Sequence, residues 1–196
     1  MPKGVITCPL LPLGIRPSST SVPDQDSLMP PSALSSLGTE DLARALRPLW
    51  EDATPLATRL QGRHFETWHE LIDTVEEELP AASQQWREAL VAAHPRLGED
   101  PEVLQERSQA SWAEQGCGSD PGTALRLKDL NDRYEARFGF PFVEWVAGRP
   151  MSQIAEVLEA RLGNDRSEEL ARACAALLAI ARDRLKRIEA QGGTAL

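Results

Sequence analysis

Four places in this chain carry groups that could do chemistry. The first is "HPRLG", where His94, one of three histidines, stands directly before Pro95. Imidazole is the side chain whose ordinary pKa suits proton transfer in both directions near neutrality. A histidine at a helix end is also favoured by the helix dipole alone. The second place is one helix further on, where Ser108, Ser111, Glu114 and Gln115 share a broad polar face. Ser111, Glu114 and Gln115 are direct neighbours there by helical spacing, so the face either is solvated or holds a polar ligand. The third is Arg161, which follows Leu158 and Ile154 on an apolar stripe. Arginine is almost never buried without an anionic partner: either its stem reaches out to water or it meets a carboxylate inside. The fourth is "RFGFPFVEW", a stiff apolar loop that serves as packing or turns its carbonyls and amides toward a ligand.

Other chemistries find no footing. His64 and His69 lack HExxH spacing and metal-ligand company, so no metal is expected. There is no GxGxxG, no P-loop, no GxSxG and no CxxC. The formal net charge is −9 with no clustered Lys and Arg, which disfavours nucleic acid and anionic membrane surfaces. No apolar run is long enough to span a bilayer. Cys8, Cys117 and Cys174 make an odd count without a recognisable spacing, which fits a reducing cytoplasm.

The elements that must position these groups read as helices from Thr39 onward. Thr39 is expected to cap "EDLARALRPLW", with Leu42, Ala45, Leu46, Leu49 and Trp50 inward. "TWHELIDTVEEELP" puts Trp68, Leu71, Ile72, Val75 and Leu79 on one stripe and stops at Pro80. Ser83 caps "QQWREALVAA", with Trp86, Ala89, Leu90 and Ala93 inward, and His94-Pro95 ends it because a residue before proline avoids helical geometry. Asp100-Pro101 starts a helix running to about Gln115. "TALRLKDLNDRYEARFG" follows, with Leu127, Leu130, Tyr134 and Phe138 inward and Gly139 as its stop. After the irregular loop, Ser152 caps "QIAEVLEARLG", and Ser167 caps a long last helix through Leu170, Cys174, Leu177, Ala181, Leu185 and Ile188. The expected class is all-α, a compact single-domain array of about eight helices, with "FVEWV" the one doubtful strand. Residues 35–190 form that domain and 191–196 a flexible tail. Residues 1–34, rich in Pro and Ser, read as a disordered extension; translation from Met29 is the alternative. Two prolines and the lack of a cleavage site argue against a signal peptide.

"HPRLG", "SWAEQ", "LNDRYEARFGFPFV" and "EARLGND" occur in the order and spacing of the OHCU decarboxylase family. OHCU is 2-oxo-4-hydroxy-4-carboxy-5-ureidoimidazoline, an intermediate of urate breakdown. The chain resembles that family over roughly its whole folded part. The resemblance implies an all-α fold, a homodimer, and conversion of OHCU to (S)-allantoin and carbon dioxide. It implies that His94 is the catalytic histidine, with Glu114 catalytic beside it by fixing its tautomer or sharing its proton, and that Pro95, Ser111 and Gln115 help hold the substrate. It further implies that Phe140, Pro141, Phe142, Val143 and Glu144 form the loop whose main chain meets the heterocycle, and that Arg161 binds substrate. The leaving carboxylate sits next to a ring C=N that can take up its electron pair, so no cofactor is implied; positioning and electrostatics carry the reaction.

Two departures from the family pattern stand out. The run Gly116 to Pro121 replaces a small Ala-Gly pair, with Cys117 read as a buried filler. Glu144 stands where an apolar residue is usual and is expected to point to solvent. Competing readings are a non-catalytic helical module of the same fold and a decarboxylase of a related ureido acid.

Overall fold

A computed structural model of the chain describes residues 28–98, 111 and 120–192. Among them are seven α-helices and two 3-10 turns, and no strand. The helices are α1 (Thr39–Leu46), α2 (Thr54–Leu60), α3 (Trp68–Glu78), α4 (Gln84–Ala92), α5 (Pro121–Phe138), α6 (Met151–Arg161) and α7 (Arg166–Ala190). Ser111 lies in a further helix. Helix α7 packs on α3 and α4, α5 packs on α6, and α2 bridges α1 and α4. The expected all-α class is what the chain adopts.

Most of the apolar stripes face inward as their periods require. Trp68, Leu71, Ile72, Val75 and Leu79 are all buried, as are Leu127, Leu130, Tyr134 and Phe138. Thr67 caps α3 by accepting from Glu70 N at 3.0 Å, and Ser83 caps α4 by accepting from Trp86 N at 3.2 Å. Gly139 ends α5 with φ 80°, a left-handed turn that a residue with a Cβ rarely adopts.

Several boundaries depart from expectation. Residues 28–34, expected to belong to a disordered extension, pack against the core, and residues 1–27 lie outside the described residues. Leu28 and Leu34 are buried, Pro31–Ser36 forms a 3-10 turn, and Trp68 Nε1 donates to Met29 O at 3.1 Å. Burying a leucine contributes roughly 1.5–3 kcal/mol, enough to hold a short Pro/Ser-rich stretch against the core. Three expected caps lie inside their helices instead. Thr39 is the first residue of α1 and donates to Gln61 Oε1; Gly38 holds the cap position. Ser152 and Ser167 are exposed first-turn residues, with Pro150 and Asp165 before their helices. Helix α5 starts at Pro121, ahead of the expected Thr123, because Asp120 accepts from the Gly122 and Thr123 amides. On α4 the buried pair is Leu90 and Val91, while Ala89 is exposed. Helix α2 had no counterpart in the sequence reading. The expected helix from Pro101 to Gln115 lies outside the described residues apart from Ser111.

Candidate active site

His94 follows the end of α4, where its amide still donates to Val91 O at 3.1 Å and Pro95 then blocks another turn. The ring is buried, and so is Pro95. The segment after them is tied to α5. Arg96 donates to Lys128 O and Asp132 Oδ1, and Leu97 O accepts from the buried Asn131 side chain at 2.8 Å. Gly98 has φ 71° and a Cβ there would meet Leu127 at 3.3 Å, so the turn needs glycine.

The partner of His94 is one that sequence reasoning missed. Glu51, in the loop after α1, places Oε2 2.9 Å from His94 Nδ1. Its other oxygen, Oε1, accepts from Ser111 Oγ and from Arg184 Nη2, both at 2.5 Å. Arg184 in turn donates to Leu49 O at 3.1 Å and to Ser111 Oγ at 3.1 Å. His94, Glu51 and Arg184 side chains are 7%, 9% and 3% exposed, so this is an interior network. Burial alone would push the Glu51 carboxyl up. The His94 ring and the Arg184 guanidinium outweigh it and hold that carboxyl well below the ordinary glutamate range.

Arg161 centres a second network. Its Nε donates to Glu169 Oε2 at 2.8 Å and its Nη1 to Glu144 Oε2 at 2.9 Å, with Val143 O at 3.5 Å. Nη2 lies 2.8 Å from Glu169 Oε2 without the alignment of a hydrogen bond. Tyr134 Oη and Asn164 Nδ2 also donate to Glu169, at 2.6 and 2.7 Å. Of the two readings of Arg161, the inner carboxylate is the one realised. Burial would raise the fully buried Glu169 carboxyl, but the donors from Arg161, Tyr134 and Asn164 lower it overall. Burial and the neighbouring Glu169 push the Tyr134 phenol well above its usual range, so it remains a donor.

Glu144 is corrected by this geometry. It was expected to point to solvent; its carboxylate instead bridges Arg161 and Arg149, the latter at 2.6 Å. An acid at this place in the loop is explained by two guanidinium groups that converge on it. The rest of the loop is set by aromatic packing. Phe140, Phe142 and Val143 are buried, Tyr134 lies 5.3 Å from the Phe142 ring, and the Arg161 guanidinium stacks over Phe142 at 4.7 Å.

An open cavity of about 390 Å³ brings part of the expected site together: it is lined by Ala92, His94, Arg96, Glu135 and Gly139 to Pro141. Phe142, Val143 and Glu144 belong to the Arg161 network, and Arg161 is not among the residues lining this cavity. Arg96, which sequence reasoning also missed, is the cation in the lining and is paired with Asp132 and Glu135. Glu114 and Gln115 lie outside the described residues, as do Cys8 and Cys117. The remaining cysteine, Cys174, is a buried free thiol that burial pushes up to about 11, far from reactive thiolate chemistry. Among the described residues no cluster of His, Cys, Asp and Glu is arranged to hold a metal, and no helix is long and apolar enough to cross a membrane.

The missed residues left unequal traces. Arg184 follows Ala181 and Leu177 on the apolar stripe of α7, the same signal that marked Arg161. Glu51 sits in a loop, where no period marks a side chain as buried.

Comparison with known proteins accords with this architecture. The OHCU decarboxylase family model matches residues 35–186. The 2-oxo-4-hydroxy-4-carboxy-5-ureidoimidazoline decarboxylase of Halalkalicoccus jeotgali is 30% identical over 157 residues, covering 79% of this chain and 89% of the relative. The uric acid degradation bifunctional protein PucL of Bacillus subtilis is 29% identical over 162 residues, which are 82% of this chain and 33% of PucL. A crystal structure of an OHCU decarboxylase obtained in the presence of (S)-allantoin shares the fold, with a TM-score of 0.58 at 19% identity over 78% of this chain and 99% of that one. The chain belongs to the OHCU decarboxylase family.

Proposed function

We propose that this chain converts OHCU to (S)-allantoin and carbon dioxide in urate degradation, with His94 as the proton carrier. The observation that carries this reading is a buried histidine that lines the same cavity as Gly139 to Pro141. In the reaction the bond from the ring carbon to the carboxylate breaks. Its electron pair forms a carbon–carbon double bond, the C=N pair moves onto nitrogen, and that nitrogen takes a proton. The resulting enol then loses its hydroxyl proton and receives one at carbon, on one face. In sum the substrate carboxylate gives one carbon dioxide and takes up one proton. Imidazole can both accept the hydroxyl proton and deliver one to carbon.

Pro95 and the backbone of Phe140 to Glu144 would bound the heterocycle. Ser111 would act from the Glu51 network, toward which its hydroxyl is already directed. Glu114 and Gln115 are included through the family resemblance. Arg161 is included as a substrate-binding residue through the family resemblance, with Glu144 on its Nη1 and Glu169 on its Nε and Nη2. The chain would work as a homodimer, as the resemblance implies, in the cytoplasm, as its cysteine usage suggests. The domain would comprise residues 35–190, now joined by 28–34.

The test generates OHCU in place from urate with urate oxidase and hydroxyisourate hydrolase, and follows ultraviolet decay together with circular dichroism. Faster decay with an enantiomeric allantoin signal is expected. His94→Asn should lower kcat on the order of 10²–10⁴-fold with far-ultraviolet dichroism unchanged. Near-normal turnover in that variant would remove the assignment. Arg161→Lys should raise KM about tenfold, since an ammonium cannot replace the planar fork; an unchanged KM would take Arg161 out of the site. A folded chain without activity on OHCU, tested next on other ureido acids, would favour one of the two competing readings.

A further inference from the structure

We infer that Glu51 is the positioning residue of this site: it fixes the tautomer of His94 so that the exchangeable proton is the one on Nε2. The inference rests on His94 being the proton carrier, and it deepens that reading by naming the nitrogen and the residue that selects it.

Ser111 Oγ and Arg184 Nη2 both donate to Glu51 Oε1, and Arg184 is itself anchored on Leu49 O. These bonds fix the plane of the Glu51 carboxylate and keep it charged in an interior site. An ionised carboxylate has no hydrogen to give and can only accept. The His94 atom 2.9 Å from Oε2 is Nδ1, so Nδ1 must carry the hydrogen in that contact. The opposite tautomer would set a nitrogen lone pair against a carboxylate oxygen at the same distance, in a place where neither is well solvated. A neutral His94 therefore has its lone pair on Nε2, and His94 is a cavity-lining residue. That arrangement leaves Nε2 to take and return the proton while Nδ1–H stays in place. The carboxylate–imidazole pairing is the one by which other enzymes orient a general base. Here the carboxylate comes from a loop 43 residues upstream and is steadied by an arginine 133 residues downstream of it.

Two measurements test this. In two-bond proton–nitrogen spectra of uniformly ¹⁵N-labelled wild-type protein above neutral pH, His94 should show a protonated Nδ1 and an unprotonated Nε2. His94→Asn identifies the signal, and the exposed His64, whose Nε2 lies 3.0 Å from Glu66 Oε1, should show the opposite, Nε2–H form. A wild-type His94 in the Nε2–H form overturns the inference, whatever any variant does. In Glu51→Gln the amide can donate to Nδ1, so the tautomer should reverse and kcat should fall on the order of 10²–10⁴-fold with KM changed only a few-fold. A folded Glu51→Gln enzyme with wild-type kcat overturns it; should this variant not fold, the wild-type spectrum still decides. If His94→Asn is inactive while Glu51→Gln is fully active, this inference alone falls. If both are active, the function assigned to His94 falls with it.

Discussion

Two buried arginines stand in nearly matching company yet lead to different groups. Arg184 and Arg161 each lie on the inward stripe of a helix, and each pairs with a glutamate, Glu51 with its side chain 9% exposed and Glu169 fully buried. Both carboxyls are held below their ordinary range by those partners. The difference lies in the third group. Glu51 goes on to a histidine that borders the cavity, whereas Glu169 goes on to a phenol and an amide, neither of which exchanges protons near neutrality. The Arg161 network also takes in Glu144 and Val143 O, so it ends on the loop beyond Phe140 and Pro141. An internal ion pair therefore says little by itself about role. What it holds differs: a cavity-lining histidine in one case, the Val143–Glu144 loop in the other.

The comparison can be broken at its scaffold side first. Glu169→Leu leaves the Arg161 guanidinium with only Glu144 as carboxylate partner, and should destabilise the fold by about 3–5 kcal/mol, read from urea midpoints. A loss below about 1 kcal/mol would mean that this network does not support the fold. Acid should act next, on both networks together. Both glutamates have folded-state pKa values below those of an unfolded chain. Their stabilisation is complete above the ordinary glutamate value of about 4.3 and is lost as pH falls through the lower folded values. Urea midpoints should thus hold near neutrality and drop below about pH 4.3, with a shallower drop in Glu169→Leu. The smallest effect is expected from the half-buried Glu144→Gln, which weakens one side of the loop without emptying the interior. A few-fold rise in KM with unchanged kcat is expected, and a lowered kcat would move the loop from wall to chemistry.

How much of this was legible follows from what makes a signal periodic. Arg161 was conspicuous because it interrupts an apolar stripe, and it does meet a buried acid, Glu169, and the half-buried Glu144. His94 and Pro95 were placed at a helix end by proline's own geometry, and the Phe140 to Val143 loop by its lack of any helical pattern. Glu51 left no mark, since the burial of a loop acid depends on groups far away in the chain. The caps expected at Thr39, Ser152 and Ser167 failed because a hydroxyl near a helix start fits the cap and the first turn equally well. Leu28 and Leu34 were hidden by the prolines and serines around them. Glu144 was misjudged as idle because its partners, Arg149 and Arg161, only converge on it once α6 has packed.

Helix α7 carries Glu169 in its first turn and Arg184 about 22 Å further along its axis, taking the rise of a regular helix. It is thus a ruler shared by the Glu51–His94 pair and the Arg161–Glu144 pair. It is also made after every other element described here, while its arginine reaches back 135 residues to Leu49 O. Closing a contact of that span is slow compared with winding local helices. During synthesis or refolding, helical content should therefore return well before His94 has its carboxylate seated, and catalytic competence becomes a clock for the last docking step.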